Sequence, residues 1–377
     1  MLPPLSLYIH IPWCVQKCPY CDFNSHAQKG EIPETEYVAN LLDDLDQDLK
    51  YVQGRKLHSI FFGGGTPSLL SEKAIANILN GVKQRIEFAD DIEITLEANP
   101  GTLEYNKFSG FADAGVNRIS IGVQSFQLDK LKALGSIHND DEAKTAASYA
   151  ASSVNTFNID LMHGLPNQSL DDAISDLKQA IALNPTHLSW YQLTIEPNTL
   201  FYSQPPKLPQ DETLWDIQQQ GHELLKQAGY IQYEISAYSK AGYQCKHNLN
   251  YWRFGDYLGI GCGAHGKITV EQDNKIVRTE KVKHPKGYMD LTKAHLNKVW
   301  DVELDDRTFE YFMNKLRLKE AFSLIEFERY TGIESNDIQE KLSKAVKLTL
   351  LEKVTSDQYQ VTEKGIQFYN NLVDLFL

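Results

Sequence analysis

The chain has 377 residues, 42% hydrophobic and 23% charged, which is typical of a globular protein with one large domain and a smaller one. The formal net charge of −13 disfavours nucleic-acid binding, and no apolar run approaches the roughly 20 residues of a membrane helix. Five cysteines, an odd number, and first residues without a signal-like pattern predict a reducing, cytoplasmic compartment. We expect no integral membrane segment, although peripheral contact with a membrane-bound partner stays open.

Apolar runs alternate with amphipathic helical patterns up to about residue 235. The apolar runs predict strands at Leu5–Ile11, Ser59–Phe62, Ile92–Glu97, Arg118–Ile121, Thr156–Leu161 and His187–Leu193. The amphipathic stretches predict helices at Glu36–Val52, Glu72–Ile86, Asp129–Leu134, Asp141–Ser152 and Ser169–Ala182. This repetition predicts an α/β fold with a parallel sheet. Six such units predict a partial (β/α)6 barrel, with its site at the carboxyl ends of the strands.

The pattern changes after residue 235. Residues 242–266 are rich in Gly, Tyr, Asn and His and are interpreted as an ordered loop. Further on, helices are predicted at Arg307–Ala321, Leu324–Thr331 and Asp337–Leu351, followed by a ribbon at Leu351–Gln360 and a last helix from Thr362. We therefore predict a barrel domain at 1–240, a loop-rich connecting region at 241–304 and a small winged-helix-like α+β module at 305–377. That module has 13 Asp and Glu residues against 10 Lys and Arg, which disfavours a DNA-reading role.

Three cysteines follow the first predicted strand in the run Cys14-Val-Gln-Lys-Cys18-Pro-Tyr-Cys21. Three thiolates do not complete the four-ligand shell of a structural zinc ion. They can hold three irons of a cubane iron–sulfur cluster and leave the fourth iron open to a substrate. The arrangement resembles the radical S-adenosylmethionine enzymes, so we expect these cysteines to bind a 4Fe–4S cluster.

Two other interpretations of the cysteine run stay open. His10 or His26 could complete a zinc site, although His10 lies inside the predicted strand and His26 has no fixed spacing from the cysteines. Disulfide pairing is disfavoured further, because the chain is poor in cysteine and shows no secretory signal.

Distinctive residues also stand at the ends of the next predicted strands: the run Gly63-Gly64-Gly65-Thr66-Pro67, then Glu97, Gln124 and Asp160. Glycines let a backbone approach a ligand closely, so the first run could offer amides and carbonyls to the amino-acid end of a cofactor. A carboxylate such as that of Glu97 can accept two hydrogen bonds from ribose hydroxyls. Tight turns also use glycines, and an isolated strand-end carboxylate is more often simply solvated. Recurrence at successive strand ends favours a shared site.

Motifs along the chain resemble the oxygen-independent coproporphyrinogen III oxidase family, and the match includes the C-terminal module. The motifs are Tyr8-Ile-His-Ile-Pro-Trp-Cys14, Gly63-Gly64-Gly65-Thr66-Pro67-Ser68, Leu96-Glu97-Ala-Asn-Pro100, Gly122-Val-Gln124-Ser-Phe126 and Asp160-Leu-Met-His-Gly164-Leu-Pro166. The resemblance implies that S-adenosylmethionine is bound by Tyr8, Tyr20, Gly64, Gly65, Thr66, Glu97, Gln124 and Asp160. The family usually has an arginine where this chain has Ser136. The loss of its charge and bidentate fork predicts weaker cofactor binding or compensation by a cation such as Lys132.

Two features resemble the HemW haem-chaperone branch of this family more than the decarboxylating oxidases. Phe23 stands where the oxidases carry a further cysteine, and their N-terminal extension is longer. The run His247-Asn-Leu-Asn-Tyr251-Trp252 matches the branch's His-Asn-x-x-Tyr-Trp motif, which implies that His247 helps to hold haem. An imidazole is a good haem-iron ligand, although a histidine in an aromatic loop is more often structural. Cys245 could be a second contact, but a buried, inert thiol is the simpler interpretation; Cys262 is assigned no role.

The resemblance thus implies a haem chaperone that delivers haem to respiratory haem proteins and retains the cluster, S-adenosylmethionine and an unidentified electron donor. Oxidase activity is expected to be absent. The alternative is an enzyme that converts coproporphyrinogen III to protoporphyrinogen IX by radical decarboxylation. A third possibility, a metal-free regulator acting on DNA, is disfavoured by charge.

Overall fold

The computed structural model describes residues 2–102, 107–136 and 138–377. The strands are β1 (Leu5–Ile11), β2 (Trp13–Cys14), β3 (His26–Ala27), β4 (Leu57–Gly64), β5 (Phe88–Ala98), β6 (Arg118–Gln124), β7 (Thr156–His163), β8 (His187–Gln192), β9 (Ile231–Glu234), β10 (Ala237–Ser239), β11 (Asp256–Ile260), β12 (His265–Val270), β13 (Lys275–Lys281), β14 (Leu296–Asp301), β15 (Phe322–Ser323), β16 (Leu351–Lys353) and β17 (Gln358–Val361). The helices are α1 (Glu34–Asp48), α2 (Glu72–Lys83), α3 (Lys107–Ala114), α4 (Leu128–Ala133), α5 (Asp140–Ser153), α6 (Leu170–Ala182), α7 (Leu200–Ser203), α8 (Asp211–Gln227), α9 (Lys246–Trp252), α10 (Pro285–Tyr288), α11 (Leu304–Lys315), α12 (Leu324–Thr331), α13 (Gln339–Lys347), α14 (Glu363–Gln367) and α15 (Tyr369–Val373).

The large sheet has the strand order β14-β13-β12-β11-β1-β4-β5-β6-β7-β8-β10-β9. Strands β1, β4, β5, β6, β7 and β8 run parallel, and helices connect them in the predicted alternation. At the far end β10 pairs antiparallel with β8, which ends the parallel winding. The sheet is therefore open, and the prediction of a partial (β/α)6 barrel is confirmed.

The inner surface of the parallel strands, called the lumen here, carries polar residues from successive strands. Ser6 and Ser59 sit opposite each other near the amino ends of β1 and β4, and their hydroxyls hydrogen-bond at 2.7 Å. One strand further, Glu97 of β5 lies beside Ser120 of β6. Apolar side chains such as Leu7, at 0% exposure, fill the main core. Alternation along each strand thus separates a dry core from a polar lumen.

Residues 241–304 differ from the sequence prediction. The expected loop at 242–266 contains α9 and β11, and β12 begins within it. Strand β11 pairs parallel with β1, with Tyr8 opposite Gly259. The strand was missed because its composition is glycine-rich. A Cβ at Gly259 would lie 1.9 Å from the carbonyl oxygen of His265, so this close strand crossing excludes any side chain. The domain boundaries at 240/241 and 304/305 stay predictions.

The C-terminal segment forms the expected winged-helix-like module. Its antiparallel sheet has the order β15-β17-β16 and packs with α11, α12 and α13. Its core of buried aromatic and aliphatic residues also contains Phe254 and Ile276 from the preceding segment. The module therefore packs directly on the region that carries α9 and β11–β14.

Candidate functional site

The cysteine run forms a compact loop directly after β1. The two-residue strand β2, which ends at Cys14, pairs in parallel with β3. The amide of Gln28 donates to the carbonyl of Cys14 at 2.8 Å, and the amide of Cys21 donates to that of Cys18 at 3.2 Å. These backbone hydrogen bonds hold the conformation of the loop.

Cys14, Cys18 and Cys21 line one cavity of about 250 Å³. All three are free thiols, and the Sγ of Cys21 lies 3.7 Å from the hydroxyl of Ser25. Burial raises the pKa of the Cys14 and Cys18 thiols. Deprotonating them therefore requires a compensating positive charge, such as that of iron.

The donor set fits a cubane cluster better than a zinc ion. The Nε2 of His10 donates to the Asn24 carbonyl at 2.9 Å, and its Nδ1 is hydrogen-bonded to the Tyr8 hydroxyl at 3.1 Å. His26 contacts the carbonyl of Lys283 at 3.2 Å, and neither histidine lines the cysteine cavity. Among the described residues, no three Cys, His, Asp or Glu side chains surround a single ion position. A cubane instead takes one thiolate at each of several irons, so three thiols around one cavity suit it and leave one iron open.

The glycine run packs its backbone against the cysteine loop. The amides of Gly65 and Thr66 donate to the carbonyls of Ile11 and Trp13, both at 2.7 Å. A Cβ at Gly65 would lie 2.3 Å from the Trp13 oxygen, and Gly64 has a φ of +114°. Only glycine allows this approach. The Gly65 and Thr66 amides are thus engaged within the protein and are not available to a cofactor.

Glu97 and Asp160 also line the cysteine cavity. Burial, reinforced by the neighbouring charge of Asp160, raises the pKa of Glu97 to about 8. Asp160 accepts hydrogen bonds from the Ser120 hydroxyl and the Asn158 amide, each at 2.8 Å. At neutral pH the Glu97 carboxyl is largely protonated and can both donate hydrogen bonds to ribose hydroxyls and accept hydrogen bonds from them.

Gln124 is held in an unusual backbone conformation, with a φ of +67°. Its side-chain oxygen accepts a hydrogen bond from the Tyr191 hydroxyl at 3.0 Å. A positive φ at a non-glycine residue is a strain that the surrounding structure must support. It turns this amide toward the cavity that Tyr20 and Thr66 also line.

Ser136 lies beside a small cavity of about 60 Å³ that Cys18, Tyr20 and Gln124 also line. Its hydroxyl is 2.8 Å from Nδ1 of His138. Lys132 is exposed and lines neither this cavity nor the cysteine cavity, which gives its expected compensating role no support. Lys17 does line the cysteine cavity.

A larger cavity of about 730 Å³ occupies the lumen. It shares six residues with the cysteine cavity: Lys17, Phe23, Gly64, Glu97, Ser120 and Asp160. Tyr8, Tyr251 and Tyr257 line it as well. The two cavities are therefore neighbouring compartments of one site.

His247 lines the lumen cavity from α9 and is 1% exposed. Its Nδ1 lies 2.8 Å from the Ser59 hydroxyl and its Nε2 lies 2.9 Å from the Tyr251 hydroxyl. The ring stacks on Phe61 with centroids 5.0 Å apart. Burial, and then the charge of Arg118, lowers the pKa of His247 to about 3. The imidazole is thus neutral, as metal ligation requires, but hydrogen bonds engage both of its nitrogens.

The contact with Ser59 places His247 toward the amino ends of the strands. From Ser59 to Gly64 the strand advances five residues, or about 16 Å at 3.3 Å per residue. The cysteine run and the His-Asn-x-x-Tyr-Trp motif therefore border opposite ends of the lumen.

Residues 8–179 match the model of the radical S-adenosylmethionine superfamily. The haem chaperone HemW of Escherichia coli K12 is 60% identical over 377 residues, covering 100% of this chain and 99% of that one. The HemW protein of Haemophilus influenzae is 58% identical, covering 100% and 98%. This chain belongs to the HemW family. The solved structure of coproporphyrinogen III oxidase HemN from Escherichia coli matches it with a TM-score of 0.83 at 23% identity, covering 100% and 90%, and supports the shared fold.

These relatives confirm the resemblance to the HemW branch that the motifs indicated. The superfamily match implies a 4Fe–4S cluster and S-adenosylmethionine as cofactors. The individual contacts stay predictions. All the predicted S-adenosylmethionine contacts line one of the two cavities, Tyr8 facing the lumen only. Sequence reasoning missed Ser120 and Tyr191, although both lie on strands of the predicted barrel. Within the part of the chain that the structure describes, every helix is too short or too polar to span a lipid bilayer.

Proposed function

We propose that this HemW family member binds haem in its lumen and delivers it to respiratory haem proteins. The observation that carries the proposal is the position of His247, on the lumen cavity that adjoins the cysteine cavity. Support also comes from the full-length relatives, whose name is haem chaperone. The five free thiols suit the reducing cytoplasm, where we place this activity.

In this proposal Cys14, Cys18 and Cys21 hold the 4Fe–4S cluster. The cluster and S-adenosylmethionine, when bound, supply one-electron chemistry, with an electron donor that is still unidentified. Glu97 and Gln124 would orient the cofactor's polar groups from the cavity wall. Phe23, which is 63% exposed and lines both cavities, would shield the boundary between cofactor and haem.

His247 is the proposed haem ligand. Its neighbours Phe61, Tyr251 and Tyr257 provide aromatic faces for a flat ring system. Ligation through Nε2 requires the Tyr251 hydroxyl to leave that nitrogen, so haem binding would rearrange α9 locally. Cys245 is a poor alternative as the haem ligand. Its thiol is buried and donates a hydrogen bond to Glu93 at 3.4 Å, and burial raises its pKa to about 12.

Anaerobic haem titration of the reconstituted protein and of His247→Ala tests this proposal. We expect the variant to lose haem affinity and the histidine-ligated absorption spectrum. His187→Ala is the matched control, because His187 is equally buried with both ring nitrogens hydrogen-bonded, but lines neither cavity. Equally weak binding by the wild type and His247→Ala would sink the proposal.

A porphyrinogen-turnover assay on the same samples tests the alternative function. Formation of protoporphyrinogen IX from coproporphyrinogen III would make the chain an oxidase. We expect no turnover.

A further inference from the structure

Arg118 is a buried cation on the wall of the lumen. It begins β6, is 3% exposed, and lines the cavity of about 730 Å³. No hydrogen bond and no ion pair within 4.0 Å joins its guanidinium to any residue that the structure describes. Arginine side chains this deeply buried are almost always paired, because an unpaired buried charge is costly.

The carboxylates near Arg118 already have other partners. Glu93 accepts hydrogen bonds from the amides of Lys246 and His247, both at 3.1 Å, and so anchors the start of α9. Asp160 is bonded to the Ser120 hydroxyl and the Asn158 amide. Both carboxylates therefore attract Arg118 only through space.

Glu97 also lines the lumen, and its carboxyl group contributes little negative charge at neutral pH because burial raises its pKa to about 8. The guanidinium thus lines a cavity, and none of its five donors has a hydrogen-bond partner among the described residues. A planar guanidinium matches a carboxylate with two parallel hydrogen bonds. The missing partner is best supplied by a ligand that carries a carboxylate.

The rest of the cavity wall indicates what else that ligand carries. Tyr8 stacks on Phe61 at 6.4 Å between centroids, and Tyr251 packs edge-on against Tyr257 at 4.5 Å. These aromatic faces suit a flat, largely apolar ring. Arg118 and His247 both line this cavity of about 730 Å³, so one ligand in it can contact the guanidinium and the imidazole.

We propose that Arg118 binds a propionate carboxylate of haem in the lumen, while the iron faces His247. The inference rests on the proposed function, because it assumes that haem enters this cavity. The amino-acid end of S-adenosylmethionine is a second source of carboxylate. Arg118 does not line the cysteine cavity, where that group would meet the cluster, and this favours the propionate.

The test compares haem with haem dimethyl ester, in which both carboxylates are blocked. We expect Arg118→Gln to weaken haem binding about tenfold to a hundredfold, as expected for losing hydrogen bonds to a charged group. The diester should bind the wild type and the variant equally. Arg118→Lys keeps the positive charge but loses the two parallel donors of the guanidinium, so it should bind haem with intermediate affinity. This variant also keeps the test decisive if Arg118→Gln fails to fold.

Arg307→Gln is the control for a destabilised fold. Arg307 is also buried but donates to the carbonyls of Val302 and Thr331, away from both cavities. Its substitution should leave haem binding unchanged. If Arg118→Gln weakens haem and diester binding equally, or weakens neither, the propionate assignment is wrong.

Two further outcomes separate the inference from the proposed function. If the wild type binds neither haem nor its diester, the proposed function fails. If it binds both equally, haem binding stands and the inference fails. Titration with S-adenosylmethionine identifies the other source of carboxylate: a loss confined to that ligand in Arg118→Gln would overturn the propionate assignment.

Discussion

The imidazole Nε2 of His247 and the phenol of Tyr251, one turn apart on α9, are joined by a hydrogen bond of 2.9 Å. The other ring nitrogen contacts the Ser59 hydroxyl at 2.8 Å. The histidine is therefore positioned by its neighbours from both sides. The tyrosine of the His-Asn-x-x-Tyr-Trp motif competes with any metal for this nitrogen.

Tyr251→Phe should strengthen haem binding. The substitution removes the hydroxyl that binds Nε2, so the ligand no longer has to break that hydrogen bond, which is worth about 1 kcal/mol and corresponds to roughly a fivefold gain in affinity. Titration monitored by the absorption spectrum of haem measures it. Ser59→Ala, which alters only the Nδ1 side, is the comparison variant. Unchanged or weaker affinity in Tyr251→Phe would show that Nε2 is not the ligand.

The three loop cysteines should be individually essential for the cluster. Changing Cys14, Cys18 or Cys21 to Ala removes one iron ligand, so anaerobic iron–sulfide reconstitution should fail to give the absorbance of a 4Fe–4S centre. Iron and sulfide analysis gives the stoichiometry. Cys245→Ala and Cys262→Ala should reconstitute normally, because neither thiol lines the cysteine cavity. A full cluster in any of the three loop variants would contradict this ligand set.

Ser136→Arg should increase the affinity for S-adenosylmethionine. The new side chain would extend beside Cys18 and Gln124, where its guanidinium could donate two hydrogen bonds to a carboxylate. A charge-assisted pair of this kind should increase the affinity about tenfold. Isothermal titration of the reconstituted protein measures it. Ser136→Gln, of comparable reach but uncharged, serves as the control. Equal affinities in the wild type and Ser136→Arg would show that the serine does not weaken the binding of S-adenosylmethionine.

The stability of the ligand-free protein should fall as the pH rises toward 8, in part because of Glu97. Its pKa is about 8 in the folded protein, against an ordinary value of 4.5. The folded state therefore holds the proton more tightly, and this contribution is complete below about pH 4.5 and is lost as the pH rises through 8. Glu97→Gln should flatten the decline between pH 5 and pH 8, as measured by urea unfolding. An identical slope in both proteins would contradict the raised pKa.

The barrel was predictable because its strands are apolar and its helices amphipathic over their whole lengths. The predicted bounds of β1 were those observed, Leu5–Ile11. The cysteine loop was equally accessible, since its spacing is local. By contrast β11, which inserts beside β1, depends on a pairing across the chain and on glycines such as Gly259, which carry no strand signal.

Two features of the site could not have been found from the sequence. The motif that carries His247 lies near the amino ends of the strands, and only the tertiary contact with Ser59 shows this. Arg118, a charged residue at a strand start, would ordinarily be assigned to solvent. Arg118 has no hydrogen-bond partner among the described residues because the neighbouring carboxylates are already bonded to other groups. The spacing of residues in the sequence does not show those tertiary contacts.

The shared wall between the two compartments has a thermodynamic consequence. Glu97 and Asp160 border both cavities, so an occupant of one side changes the shape and charge that the other side presents. If an occupant of one cavity changes the affinity of the other cavity for its ligand by some factor, the second ligand must change the affinity for the first by the same factor. Loading and unloading of cargo in this family member would then be governed by whether the nucleoside cofactor is already seated.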